Sequence, residues 1–346
     1  MANVTGYGDI SPAVAAYSQV QMLKRGMPYL HAEKFGQTYV LPTNSTNTAK
    51  WRRYFLTGAT GSAGTGTGNF FTPVSTTPLT EGVTPAGRKL ANQDYTVTLS
   101  QYGDYVTITD VVQDTHTDNV LSQATDILGE SAAITLETLR FNVLKAGTNV
   151  FRAGNVAGRV NIITAPVLAD FRRVTTGLNR QNAKKISQVV ASTPDYNTKS
   201  VEAAYFAIAH PDLESDLRAI AGFKVVADYG PHTTPMEGEI GSLEQIRFLT
   251  STIYAPYLDA GAAVSTSGLR AATTNVDVYP ILIFGRDAFG IVPLKGKSAM
   301  TPLVVNPKPA SGDPLAQRGT VGYKFWTGTV ILQQAFMAVL EVGATA

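Results

Sequence analysis

Apolar positions recur at three- and four-residue spacing over one long stretch of the chain. Between Asp118 and Ala146, the residues Leu121, Ala124, Leu128, Ala132, Leu136, Leu139 and Val143 share one side of a helix. Asp118 and Asp126 stand toward its start and Lys145 at its end, the polarity a helix dipole favours, and Gly147 closes it. At ~1.5 Å per residue this predicts a rod of roughly 40 Å. A second helix is predicted from Ala165 to about Arg180. Elsewhere the period is two. From Asp94 to Ile108, Tyr95, Val97 and Leu99 alternate with Thr96, Thr98 and Ser100, the mark of a half-buried strand.

Thr38 to Leu56 is also strand-like, with Trp51, Tyr54 and Phe55 near its end. Between these two strand regions, Thr57 to Asn69 is almost wholly Gly, Thr, Ser and Ala, a composition that predicts a flexible, exposed tip. Together they predict a protruding hairpin of about 60 residues, and connections that long are usually functional. Ahead of it, Ser11-Pro12 starts a short helix that runs to about Lys24 and stops at Gly26 and Pro28. A second short piece spans Tyr29 to Phe35. Neither has the apolar face to stand alone, so this segment reads as an arm that packs on another surface.

From Ile186 onward the pattern is mixed. Ala203–Ala209 and Val276–Phe284 read as buried strands, and His210-Pro211-Asp212 opens a helix to about Ile220. Short strands and turns fill Gly222 to Leu249, and Gly322 to Val342 is strand-rich with a polar break at Gln333-Gln334. No internal repeat is visible. The predicted class is α+β.

Charged residues make up only 16% of the 346 positions, against 44% apolar, where about 25% charged is usual. Sparse charge fits a surface covered by further copies, since interface cores are depleted in charge. The net charge of +2 and the lack of a long basic run argue against dedicated nucleic-acid binding. The small clusters at Lys50, Arg52 and Arg53, at Arg172 and Arg173, and at Lys184 and Lys185 read as solvated turns and strand ends. The chain has no cysteine, which excludes disulfides, thiolate metal sites and a cysteine nucleophile. No basic flank precedes an apolar stretch at the N-terminus, and no apolar run approaches the ~20 residues of a membrane helix. A protein made in a reducing cytoplasm is expected.

Catalytic signatures find no support. The glycines from Gly58 to Gly68 are followed by Phe70, Phe71 and Pro73 rather than by a helix that could present its amides to phosphate. Gly296-Lys297-Ser298 lacks the first glycine of a P-loop, because position 291 is Ile. His31, His116, His210 and His232 are dispersed, with no spacing that suits a metal. Asp212, Glu214 and Asp216 read as a helix first turn, and Glu237 and Glu239 as turn residues around Gly238. No metal, cofactor or catalytic residue is expected.

Four groups of residues, in order along the chain, resemble one large family of tailed-phage major capsid proteins. They are Thr77-Pro78-Leu79-Thr80-Glu81-Gly82-Val83-Thr84-Pro85; Gln101-Tyr102-Gly103 with Ile108-Thr109-Asp110; Gly238-Glu239-Ile240-Gly241-Ser242 with Ile246-Arg247-Phe248; and Pro314-Leu315-Ala316-Gln317-Arg318-Gly319 with Gly322-Tyr323-Lys324 and Ile331-Leu332. The resemblance implies the HK97-like fold: an N-terminal arm at 1–36, an extended loop with its strands at 37–112, a peripheral domain with a spine helix at 113–184, an axial domain at 185–300, and returning peripheral strands at 301–346.

It also implies a non-enzymatic shell protein of the virion, forming hexamers and pentamers around double-stranded DNA without reading its sequence. A separate scaffolding protein, a portal and a decoration protein are the implied partners, with no membrane. An encapsulin-like nanocompartment, which shares the fold, is the alternative. On the hairpin, Arg52, Arg53 and Arg88 are expected to meet acidic groups of a neighbouring subunit, with Glu81 a partner for a basic one, because an Arg fork fixes register on a carboxylate. The competing reading is exposed pairing of little energetic weight.

Overall fold

A computed structural model of the chain describes residues 30–56, 78–85, 87, 89–110, 120–186, 203–229, 236, 238–264, 268–293, 301–305 and 314–345. The predicted arm helix, the Gly-rich tip and Arg88 lie outside the described residues. In chain order the elements are β1 (Gln37–Thr38), β2 (Thr48–Leu56), β3 (Leu90–Thr98), β4 (Ser100–Thr109), α1 (Val120–Leu144), β5 (Val150–Arg152), α2 (Leu168–Arg180), β6 (Tyr205–Ala209), α3 (Glu214–Ala219), β7 (Lys224–Val225), β8 (Glu239–Leu243), β9 (Ile246–Thr250), β10 (Tyr279–Phe284), β11 (Phe289–Pro293), β12 (Thr301–Val305), β13 (Arg318–Ile331) and β14 (Met337–Val342).

Among the described residues the strands form three sheets. A seven-stranded sheet runs β5-β14-β10-β6-β9-β8-β7, a five-stranded sheet runs β1-β11-β13-β12 with β4 also paired to β13, and β2 pairs with β3 alone. The central strands of the first sheet are buried on both faces, as their continuous apolar runs require: Tyr205–Ala209, Tyr279–Phe284 and Met337–Val342 are buried throughout. Against one face α2 packs Phe171, Val174 and Leu178 onto Tyr205, Ala207, Phe248, Ile281, Ile283 and Leu340. Against the other lie Phe35, Phe141, Leu144 and Tyr254, touching Phe206, Ile208, Leu282, Phe284 and Val339.

Helix α1 bridges the two large sheets. Leu128, Ala132, Ala133 and Leu136 rest on Val321, Tyr323 and Phe325 of β13, whereas Phe141 and Leu144 belong to the core of the seven-stranded sheet. With 25 residues at ~1.5 Å each, it spans about 38 Å and fixes the spacing between the sheets.

Two expectations change in detail. The stretch Asp94 to Ile108 is two strands rather than one: strand pairing changes partner at Leu99, which is 4% exposed. β3 pairs with β2, while β4 pairs along ten residues with β13. A sequence period of two does not distinguish a strand that continues from one that changes sheet. The C-terminal stretch is likewise two strands in different sheets, and the break at Gln333-Gln334 is a single 3-10 turn from Gln334 to Phe336.

Candidate functional site

The hairpin β2–β3 has two unlike faces. Because successive side chains alternate, Lys50, Arg52 and Tyr54 are exposed while Ala49, Trp51 and Arg53 turn toward the body. Arg52 lies opposite Asp94 in the register and grips it with both fork nitrogens, Nε to Oδ1 at 2.8 Å and Nη2 to Oδ2 at 3.1 Å. Lys50 joins the same carboxylate at 2.6 Å. The Arg52 guanidinium, followed by Lys50, therefore holds the Asp94 carboxyl well below the usual range. Arg53, one residue on, points the other way and donates from Nη1 to Gln333 Oε1 at the break between β13 and β14.

Arg52 and Arg53 thus face opposite sides. Glu81 stands exposed in a turn closed by Val83 N–H to Thr80 O. The structure brings none of these three together, and nothing in the hairpin pattern alone signals the Arg53–Gln333 bond.

A second constellation lies where the described chain begins. The turn Ala32–Lys34 sits against α1, where the fully buried Glu137 accepts from Ala32 N–H at 2.9 Å and from the Tyr254 hydroxyl at 2.9 Å. Arg140 Nη1 stands 3.7 Å from the second Glu137 oxygen, and its Nη2 donates to Glu33 at 3.2 Å. Burial pushes the Glu137 carboxyl above its usual value, opposed by the Ala32 amide and the Arg140 charge. Burial also raises the Tyr254 hydroxyl far above its usual value. Beside this, Phe35 stacks on Phe206 at 4.7 Å.

Sequence reasoning missed this pair. The buried stripe of α1 is Thr125, Leu128, Ala132, Ala133, Leu136, Glu137, Arg140, Phe141 and Leu144, and scoring only apolar positions drifts onto Leu139 and Val143, which are half-buried. The available signal was an opposite-charge pair three residues apart at the phase of the stripe.

A third constellation corrects the reading of Glu239 as a turn residue. Its side chain is fully buried and ion-paired with Arg247, with Nε to Oε1 at 2.7 Å and Nη2 to Oε2. Glu239 also accepts from the Tyr229 hydroxyl at 2.6 Å and from Met236 N–H at 2.8 Å, so one carboxylate holds both ends of the segment between Tyr229 and Met236. Burial, then the bond to Glu239, pushes the Tyr229 hydroxyl up to about 12. Gly238 has φ +79°, and a Cβ there would stand 3.2 Å from His31 Cε1. Glycine therefore answers both a left-handed backbone and the close seat of the Ala32–Lys34 turn.

The carboxylates at the predicted helix start each hold a structural partner. Glu214 pairs with Arg218 one helical turn on at 2.6 Å, Asp212 accepts from Tyr279 at 2.8 Å, and Asp216 takes the Thr345 amide at 2.9 Å. Among the described residues no group of histidines and carboxylates could hold a metal ion, and no helix is long and apolar enough to cross a membrane.

The sequence model of a family described as phage capsid protein matches residues 93–340. No curated protein matches the chain. Among solved structures, the capsid of Ralstonia phage GP4 superposes with a TM-score of 0.62 at 13% identity, over 90% of this chain and 87% of that one. The head structure of Helicobacter pylori bacteriophage KHP40 gives 0.56 at 12% identity, over 89% and 87%. The capsid asymmetric unit of cyanophage Pam1 gives 0.55 at 16% identity, over 93% and 92%. At these identities the likeness speaks for the fold, and the family match, which covers most of the chain, speaks for membership. The chain belongs to the phage capsid protein family and is a structural major capsid subunit with the HK97-like fold.

Proposed function

We propose that copies of this chain form hexamers and pentamers and close into an icosahedral head around double-stranded DNA, assembled in the host cytoplasm without any catalytic step. The observation that carries the reading is the hairpin. Among the described residues β2 and β3 pair only with each other, and a lone two-stranded sheet is marginal in water. Among the described residues its apolar cover lies at the root, through Ala49, Leu99, Leu41 and Val292 with Trp51 and Val97. Tyr54 and Leu90, at 59% and 65% exposure, are left for another surface.

In this reading the arm (1–36) and the extended loop (37–112) reach neighbours. The axial domain (185–300) surrounds the capsomer axis, and the peripheral domain (113–184 and 301–346) meets the next capsomer. A separate scaffolding protein, a portal and a decoration protein complete the head. The net charge of +2 suits enclosing DNA without gripping it in sequence-specific fashion. The family match lends the nanocompartment alternative no support.

Negative-stain electron microscopy of the purified chain, alone and co-expressed with the phage's scaffolding protein, is expected to show closed shells, capsomers or polyheads. A folded monomer that stays monomeric under both conditions rules the proposal out. Within it, Arg52, Arg53, Glu81 and Arg88 contribute contacts between subunits. Replacing Arg52 and Arg53 together with alanine is expected to lower shell yield and shell stability to heat. Normal shells of unchanged stability would remove those two from the interface.

A further inference from the structure

The hairpin leaves the body across a floor made of two glycines. Gly290 lies on β11 and Gly328 on β13, and these strands are paired, with Val292 opposite Gly328 and Gly290 opposite Val330. A Cβ on Gly290 would stand 2.7 Å from Trp51 Cζ2 and 2.8 Å from Cη2, and the indole supplies all three of its nearest neighbours. A Cβ on Gly328 would stand 3.0 Å from Val97 Cγ2. Trp51 and Val97 come from the two strands of the hairpin, so each strand rests on its own glycine. Tyr39 closes one side of the indole, with ring centroids 5.7 Å apart, and the next residue, Arg53, is tied to Gln333.

We propose that the Trp51–Gly290 contact is a positioning device that sets the angle of the hairpin to the body, and through it the register in which subunits assemble. Ordinary carbon contact needs about 3.5–4.0 Å, so one methyl on Gly290 pushes the indole away by roughly 1 Å. The root at Ala49, 1% exposed, is fixed. At ~3.3 Å per residue, Trp51 lies about 7 Å from that root and Leu56 about 23 Å. The hairpin therefore acts as a lever that multiplies the displacement about threefold by Leu56. Sheet packing alone would be indifferent to this: a glycine within a strand ordinarily weakens it, and is kept where another group approaches closely.

This inference rests on the assembly reading, and the experiment separates the two. The chain has no cysteine, so spin labels attach only where cysteines are introduced. In full-length protein carrying Tyr54→Cys on the hairpin, about 16 Å from the root, and Asn142→Cys on α1, both exposed, Gly290→Ala is expected to shift the mean label distance by about 2.5 Å. The double variant Gly290→Ala/Trp51→Leu is expected to bring it back. Where the native sequence forms shells, Gly290→Ala should lower the yield of closed shells at least tenfold, and the double variant should recover it to within twofold.

An unchanged label distance in Gly290→Ala overturns the proposal, as does normal assembly at a shifted distance. A double variant that folds without recovering either also overturns it. Should Gly290→Ala fail to fold, Trp51→Ala takes its place. Without the wedge the label-distance distribution should broaden at least twofold, and an unchanged width sinks the idea. Failure of the native sequence to form shells would strike the assembly reading alone, since the label distances are read in the unassembled subunit.

Discussion

Arg247→Ala is expected to destabilise the subunit by about 3–5 kcal/mol, the cost of leaving one member of a buried ion pair alone. The Arg247 side chain is 4% exposed and the Glu239 side chain 0%. The guanidinium also lies over the rings of Phe206 at 5.4 Å and Tyr229 at 5.7 Å, so truncation removes packing as well as charge. Glu239 would keep only the Tyr229 hydroxyl and the Met236 amide among the donors described above, too few to neutralise an ionised carboxylate in the interior. Urea denaturation followed by circular dichroism should show a lower midpoint with an unchanged slope.

A companion variant, Glu239→Leu/Arg247→Met, is expected to recover much of the loss, because a buried pair replaced by apolar groups is often neutral. The cycle of single and double variants isolates the coupling between the two. A loss below about 1 kcal/mol in Arg247→Ala would show that water reaches the pair and that the segment from Tyr229 to Met236 is not held through it.

How far the sequence could be read depends on what each element hides. The strands buried on both faces, β6, β10 and β14, are short apolar runs, and they stand where those runs predict. Helix α1 was visible from its period, yet its buried face was half mistaken, because Glu137 and Arg140 occupy core positions that apolar scoring passes over. A charge in the core leaves no hydrophobic signal; only its partner explains it, and Ala32, Glu33 and Tyr254 are 105, 107 and 117 residues away.

The hairpin was legible as two strands around a flexible tip, but its junction at Leu99 was not. There, adjoining strands leave for different sheets without any break in the alternation. The glycines at 290 and 328 sit inside ordinary apolar strands, and what they accommodate, Trp51 and Val97, is more than 230 residues earlier in the chain. Glu214 pairs within its own helix, as helix-start chemistry allows, but Asp212 and Asp216 reach Tyr279 and Thr345, 67 and 129 residues away, partners that no local pattern signals.

Glu137 offers the second large effect, and one with a sign that depends on pH. Glu137→Ala strips the acceptor from the Ala32 amide and the Tyr254 hydroxyl and leaves the 3%-exposed Arg140 side chain with the half-exposed Glu33. A loss of about 3 kcal/mol or more is expected. Glu137→Gln keeps an acceptor oxygen and removes the ionisation. Burial raises the Glu137 carboxyl above the ordinary value of 4.5, so the folded chain holds this proton more tightly than the unfolded chain does. Linkage then makes its contribution most favourable at acid pH, with stability lost as pH rises from about 4.5 through the raised value.

The groups facing it are Arg140 on its own helix, His31 and Glu33 on the preceding turn, and Tyr254 beyond β9. Arg140 and the Ala32 amide oppose the rise, and burial outweighs them. The gap in stability between native and Glu137→Gln protein, measured by urea denaturation from pH 4 to pH 7, should therefore move steadily in favour of the glutamine variant as pH rises. A gap that moves in favour of the native protein over that range would mean that Arg140 dominates and that the carboxyl is held below its ordinary value. A flat gap would mean that Glu137 titrates alike folded and unfolded, which a fully buried carboxylate joined to two donors and a guanidinium does not permit unless the turn at Ala32–Lys34 leaves α1 in solution.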